Sequence, residues 1–246
     1  MPTEIVGTEG ELAQRAAEIV CGLVREEPGV ALGLASGKTP LGLYAELARR
    51  VRARETDLSG ITAFAVDELH GLSRQHPATN ASYFREHLTR QVPLRAFHLM
   101  DSEAKPAEEE CARLLRLIEQ AGGLALVVLG IGKNGHLGFN EPGSPLDSRC
   151  RRVCLDRPTR ETYAPLFGSL DGVPAFGLTL GLADLLGARA VLLLATGADK
   201  AEMVAQALEG PVAEAVPASA LQRHPRLTVL LDREAGARLR HAQGAS

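Results

Sequence analysis

Apolar residues fall along the chain in two rhythms. One is helical: in residues 10–26, GELAQRAAEIVCGLVRE, the positions Leu12, Ala16, Ile19, Val20 and Leu23 recur at three- and four-residue spacing, which predicts an amphipathic helix. Further helices are predicted over 39–53 (TPLGLYAELARRVRA), with Thr39 as N-cap and Pro40 at the first helical position, and over 77–91 (PATNASYFREHLTRQ), starting near Thr79 or Asn80. Residues 107–123 read as an amphipathic helix closed by glycine, residues 198–210 as another, and residues 233–243 as a short last one.

The second rhythm is the short, almost unbroken apolar run between turn residues. It occurs in PGVALGLAS (28–36), ITAFAV (61–66), LALVVLGIG (124–132), RAVLLLATG (189–197) and RLTVLLD (226–232). Strands without alternation are buried on both faces. Strands and helices in alternation predict a Rossmann-like α/β fold, a mostly parallel sheet with helices on both faces. No Pro/Gly/Ser-rich linker or charge block divides the 246 residues, so a single domain over 1–246 is expected. Such sheets bind ligands beyond the carboxyl ends of their strands, so the chemistry is to be sought where each apolar run stops.

Four of these ends are informative. The first is SGKT, Ser36, Gly37, Lys38 and Thr39, a tight turn opening a helix. Its backbone N–H groups suit a phosphate, although a plain capped turn reads the same way. It is not a nucleotide P-loop, because Leu32 stands where that motif needs its first glycine. The second end places Asp67 and Glu68 side by side. Consecutive strand residues point to opposite faces, so at most one of them aims into a cleft. A carboxylate desolvated there would serve as a base; helix capping or a surface ion pair is the plainer alternative. His70, two residues on, is a candidate for the cleft wall.

The third end, GIGKNGHLGFNE, crowds Asn134, His136, Asn140 and Glu141 behind two turn glycines. His136 is a candidate acid or base, with Glu141 to orient it; a loop histidine with a structural hydrogen bond is the alternative. The fourth end carries Thr196, Gly197 and Lys200. The chain has only four lysines, and three of them, Lys38, Lys133 and Lys200, fall at these strand ends. Lys38 and Lys200 are placed to converge on an anion. The histidines His76, His87, His98, His224 and His241 read as structural or surface residues.

Composition narrows the partners. The net charge of −3 gives no basic footprint for nucleic acid. The start of the chain has no basic segment followed by an apolar core, and no apolar run reaches the roughly 18 residues of a membrane span. Cys21, Cys111, Cys150 and Cys154 have neither a dense disulfide spacing nor a metal-site spacing. A cytoplasmic protein with free thiols, no metal, no cofactor and a small-molecule substrate is expected.

The motifs at these ends resemble those of the glucosamine-6-phosphate deaminase family, which is related to the 6-phosphogluconolactonases. SGKTPLGLY is similar to the family's phosphate turn. VDELHGL followed by HPATNASYF is similar to its second conserved segment, and GIGKNGHLGFNEPGS is nearly its signature. After the shared GH, the LGFNEPG continuation has the deaminase form rather than the lactonase form. The resemblance spans about residues 30–232. It implies conversion of glucosamine 6-phosphate and water to fructose 6-phosphate and ammonia, without a metal or redox cofactor.

Position by position, the resemblance implies that Asp67 takes the C2 proton and His136 opens the sugar ring. Glu141 and Asn134 tune that histidine. Ser36, Gly37, Lys38, Thr39 and Lys200 hold the phosphate. Glu68, His70 and Arg160 are further candidates for substrate or lid contact, Arg160 within a lid over approximately 151–180, while Glu68, next to the base, also reads as a structural residue. Three departures stand out. Lys38 replaces the usual Gly or Ser of the turn, and Pro165 falls where the lid carries a substrate-facing arginine. Ser144 and Arg151 match two residues of the family's allosteric site, but Val153 replaces its lysine, so strong activation by N-acetylglucosamine 6-phosphate is not expected. The family contains hexamers and monomers, which leaves a homo-oligomer open. Lactonase activity and non-catalytic sensing of a sugar phosphate are the competing readings. The set Asp67, His136 and Glu141 argues against a sensor, which needs no base.

Overall fold

The computed structural model describes residues 2–240. The five predicted apolar runs all form strands, and seven strands make one parallel sheet. In chain order its members are β1 (Thr3–Val6), β2 (Ala31–Leu34), β3 (Thr62–Ala65), β5 (Ala96–His98), β6 (Leu126–Gly130), β9 (Val191–Ala195) and β10 (Leu227–Asp232). The spatial order is β1-β10-β9-β6-β2-β3-β5. Chain order runs outward from β2 through β3 to β5, then resumes at β6 on the other side of β2. That reversal opens a crevice between the carboxyl ends of β2 and β6.

The lack of alternation in the strands has the predicted cause. In β6, Val127 and Leu129 face one core and Leu126 and Val128 the other; β9 divides in the same way. One core is covered by α4 (Ala107–Gln120), α6 (Leu182–Leu186) and α7 (Ala201–Glu209). The other lies under α1 (Glu9–Glu26) and α2 (Thr39–Arg52).

The sequence pattern does not disclose a second, antiparallel sheet. It has the order β4-β8-β7, from β4 (Asp67–His70), β8 (Phe176–Thr179) and β7 (Arg151–Cys154). The chain enters it straight from β3 through Val66. The Val66 N–H donates to Leu34 O at 3.1 Å, in the large sheet, and its carbonyl accepts from Leu180 N at 2.9 Å, beside the small one. Helix α3 (Asn80–Phe84) follows β4, and α5 (Arg157–Phe167) follows β7.

Two helix ends differ from expectation. Thr39 is the first helical residue of α2 and not its N-cap; Lys38 holds that place, already in helical conformation and with no side-chain cap. A tight 3₁₀ turn over Ala198–Lys200 precedes α7, so Lys200 stands at the helix's N-cap. The predicted last helix is instead a series of turns over 233–238, and its remainder, with His241, lies outside the described residues. Gly236 sits so close to Ile5 and Asp232 O that the chain is folded back there.

The phosphate-type turn at 36–39 hangs from a buried anchor. Tyr44 of α2 is fully buried, and its hydroxyl donates to the carbonyl of Ala35, the last residue before the turn, at 2.6 Å. Tyr44→Phe leaves that carbonyl without its side-chain donor. The variant should unfold with about 1–2 kcal/mol less stability in urea titration; an unchanged midpoint would show that the anchor contributes nothing.

Candidate active site

Some of the side chains singled out at the strand ends come together near the β2/β6 crevice, where α5 reaches His136 through Thr159. Asp67, the first residue of β4, is 5 % exposed. Its Oδ1 accepts from Asn80 Nδ2 at 2.6 Å. Its other oxygen faces Gly138: a Cβ built on that glycine would stand 3.2 Å from Asp67 Oδ2 and 2.9 Å from Thr179 Oγ1. The positive φ of Gly138 (+58°) and this close approach both call for glycine there. Burial pushes the Asp67 carboxyl up to about 7, against the opposing pull of the His136 charge and the Asn80 hydrogen bond.

Glu68 points the other way, as strand alternation requires. It is 1 % exposed, and its carboxylate accepts from three backbone N–H groups: Leu69 and Asn80 at 2.8 Å and Ala81 at 3.0 Å. Burial raises this carboxyl also, to about 7, while those three donors oppose the rise. Glu68 therefore holds the N-terminus of α3, whose unpaired amides suit a carboxylate. It is a support and not a wall of the cleft. His70 also lies elsewhere. Its Nε2 is 2.9 Å from Ala104 O and its Nδ1 accepts from Arg152 Nε at 3.1 Å, so both ring nitrogens are engaged away from Asp67.

His136 and Glu141 come together as the loop spacing suggested. His136 Nδ1 is 3.2 Å from Glu141 Oε2 and 3.2 Å from Thr159 Oγ1. Asn134 Nδ2 donates to the same Glu141 oxygen at 2.9 Å, and Asn134 Oδ1 accepts from the His136 N–H at 3.3 Å. Burial works against ionisation of Glu141, but His136, Thr159 and Asn134 together hold its carboxyl below the ordinary range. With Nδ1 engaged, Nε2 is the ring nitrogen left for a ligand. Close packing fixes the ring, since any Cβ on Gly132 would sit 2.5 Å from it.

On the opposite wall, Gly37 and Lys38 are exposed and Ser36 and Thr39 half-buried. Tyr83 donates to Gly37 O at 2.7 Å, and Tyr163 of α5 packs edge-on against Phe139. At the end of β9, Lys200 is half-buried, and burial lowers its pKa, with Asp199 opposing the fall and Lys133 adding to it. Asp199, its neighbour, is engaged by Lys133 at 2.8 Å. Lys200 has no ion-pair partner among the described residues. A half-buried ammonium beside free helix-start amides is suited to a dianion.

Arg160 takes no part in this wall. Its Nη2 donates to Leu170 O at 2.9 Å and Val173 O at 3.2 Å, fastening α5 to the loop that follows. Ser144 and Arg151 pair with each other at 3.0 Å, and Arg151 reaches Asn140 Oδ1 at 2.8 Å. Pro165 is exposed on the outer side of α5. Sequence reasoning passed over Asn80, Tyr163 and the contact between Thr159 and His136. Thr159 and Tyr163 lie four apart, on one face of a helix, which is the only signal the sequence holds for them.

The raised Asp67 carboxyl has a consequence for stability. An acid whose folded pKa exceeds its unfolded value destabilises the fold as pH rises from the unfolded pKa, 3.8, to the folded one, about 7. Asp67→Asn removes that loss. Its unfolding free energy relative to wild type should grow between pH 4 and 7 by up to roughly 3–4 kcal/mol and then level off. A difference that stays flat across this window would show that the carboxylate is not desolvated.

Comparison with known proteins gives a consistent picture. The family model described as glucosamine-6-phosphate isomerases/6-phosphogluconolactonase matches residues 7–229. A glucosamine-6-phosphate deaminase of Bacillus velezensis is 41% identical over 227 residues, 92% of this chain and 94% of that protein. The solved structure of a monomeric glucosamine-6-phosphate deaminase superposes with a TM-score of 0.93 at 38% identity, over 97% of this chain and 100% of that one. A 6-phosphogluconolactonase from Trypanosoma brucei shares the fold, with a TM-score of 0.75 at 22% identity over 97% and 98% of the two chains. The chain belongs to the glucosamine-6-phosphate isomerase/6-phosphogluconolactonase family.

Proposed function

We propose that this chain is a glucosamine-6-phosphate deaminase: it converts glucosamine 6-phosphate and water to fructose 6-phosphate and ammonia. The observation that carries the reading is a buried carboxylate at Asp67 together with a histidine, His136, held separately by Glu141 and Thr159. A ring ester needs one proton carrier for its hydrolysis. An amino sugar must be opened, lose a proton at C2 and regain one at C1, which calls for two.

The phosphate lies against the amides of residues 36–39, with Lys200 supplying charge. This grip orients the sugar and brings C2 to Asp67. His136, through Nε2, moves the proton between O5 and the anomeric hydroxyl that opens the ring, while Glu141 and Asn134 hold the imidazole in place. Asp67 Oδ2 then accepts the C2 proton, and the electron pair left behind forms an enolamine. Return of a proton to C1 gives a C2 imine, which water hydrolyses to the ketone and ammonia. A base with a pKa near 7 is matched to this task at neutral pH.

The same reading treats residues 1–246 as one domain, with a lid over approximately 151–180. Helix α5 lies within that lid, where Thr159 meets His136. No helix among the described residues is long and apolar enough to cross a membrane. A cytoplasmic location accords with the free state of all four cysteines. A single-chain enzyme is favoured over a homo-oligomer, because the monomeric relative aligns over its whole length.

The test is release of ammonia and fructose 6-phosphate from glucosamine 6-phosphate. Asp67→Asn and His136→Ala should each lower kcat by about 10²–10⁴-fold. No ammonia from the wild type would sink the proposal, and hydrolysis of 6-phosphogluconolactone in its place would establish the lactonase reading. Lys200→Ala should raise KM by on the order of 10-fold or more with a smaller change in kcat; an unchanged KM would remove it from the phosphate site.

A further inference from the structure

Asn80 is the first residue of α3, yet its side chain does not serve the helix. Thr79 is the N-cap and accepts from Ser82 N, while Glu68 takes the Asn80 and Ala81 amides. The Asn80 carboxamide turns back onto β4 instead. Its Nδ2 donates to Asp67 Oδ1 at 2.6 Å and to the Asp67 carbonyl at 2.8 Å, and the residue is 3 % exposed. Both partners are acceptors, so only the NH₂ end of the amide fits there and the orientation is fixed by chemistry. Both donor hydrogens are engaged, and the carboxylate cannot rotate without breaking a bond.

We infer that Asn80 is the positioning residue of the general base: it ties down Asp67 Oδ1 and the strand carbonyl, and so presents Oδ2 alone to the substrate. The inference deepens the base role proposed for Asp67 and rests on it. Other ionisable groups face this carboxylate. His136 comes from the β6 loop, Glu68 from its own strand, Tyr44 from α2, Tyr83 from α3 and Tyr163 from α5. The tyrosines are neutral below pH 10, burial raising each further. Glu68 is held by three amides, which leaves His136 and Asn80 as the groups that favour the Asp67 anion. Asn80 is the one of the two that does not itself change charge.

Removing a donor from a carboxylate disfavours the charged form, so the pKa rises and activity on the acidic side is lost at a higher pH. In Asn80→Ala, the Asp67 carboxyl signal in ¹³C NMR should titrate about 1 unit higher than in wild type. The acidic limb of kcat should move up with it. At saturating substrate, kcat should fall about 10-fold with KM within about 3-fold, and the isotope effect with C2-deuterated glucosamine 6-phosphate should increase. Asn80→Asp keeps the shape and removes the donors, and should shift the titration in the same direction even if the alanine variant does not fold.

An unmoved Asp67 titration in both variants, or an equal loss at all pH values with an unchanged isotope effect, would overturn the inference. The NMR titration needs no turnover. If wild type fails to deaminate while the titration still shifts, the functional proposal falls and the Asn80–Asp67 coupling stands.

Discussion

One backbone residue joins the two sheets, and the cleft is built around that joint. The Val66 amide belongs to the ladder of the large parallel sheet and its carbonyl to the small antiparallel one. The next residue, Asp67, begins β4 and pairs with Thr179 of β8. A strand running on in the parallel sheet would project its next side chains into the covered faces. By changing sheets at Val66, the chain sets a carboxylate at the carboxyl edge of β3, facing the crevice that the β2/β6 reversal leaves open. Val66 is wholly buried and its side chain lies against Gly138, so the position of Asp67 is set by packing as well as by hydrogen bonds.

Two adjacent buried carboxylates are costly unless each is given partners. The strand sends them to opposite sides, and helix α3 serves both. Its first backbone amides satisfy Glu68, and the side chain of its first residue satisfies one oxygen of Asp67. The two acids nevertheless differ in kind. Glu68 is surrounded by fixed donors, which makes it a tie between β4 and α3. Asp67 has one side-chain donor, on Oδ1, and its other oxygen faces Gly138 with no hydrogen-bond donor among the described residues. The difference lies in what each residue faces, and neighbouring positions on one strand suffice to create it.

Much of this was legible in the sequence, and for one reason. Strands buried on both faces are apolar throughout, so LALVVLG and AVLLLATG announce both the strand and the place where it ends. Asp67 follows such an end almost at once, and His136, Glu141 and Lys200 lie in the loops that such ends begin. Elements with mixed exposure were less visible. β7, RRVC, and the edge strands β1 and β5 are three or four residues long and half exposed. Nothing in so short a stretch separates a strand from a loop. His70 was misplaced for a related reason. With β4 unrecognised, its alternation could not be followed, and His70 lies on the Glu68 face and not on the Asp67 face. Asn80 was hidden because its partner is thirteen residues away, across a loop with no periodicity.

Two lysines, Lys133 and Lys200, share one carboxylate neighbour, Asp199. A half-buried ammonium would ordinarily take the nearest carboxylate, and Asp199 is its immediate neighbour in the chain. Lys133, from the β6 loop, takes that carboxylate at 2.8 Å, in an ion pair open to solvent. Such an exposed pair contributes little to stability. Lys200 is left without a direct ion pair among the described residues: burial disfavours its charge most, Asp199 still favours it, and Lys133 opposes it. In the proposed reading, a phosphate dianion held by Lys200 would offset both the burial and the repulsion from Lys133. The lid arginine replaced by Pro165 would have brought a charge from above. Helix α5 brings Thr159, a neutral hydroxyl, to Nδ1 of His136 at 3.2 Å, so the position of α5 is tied to the geometry of the imidazole.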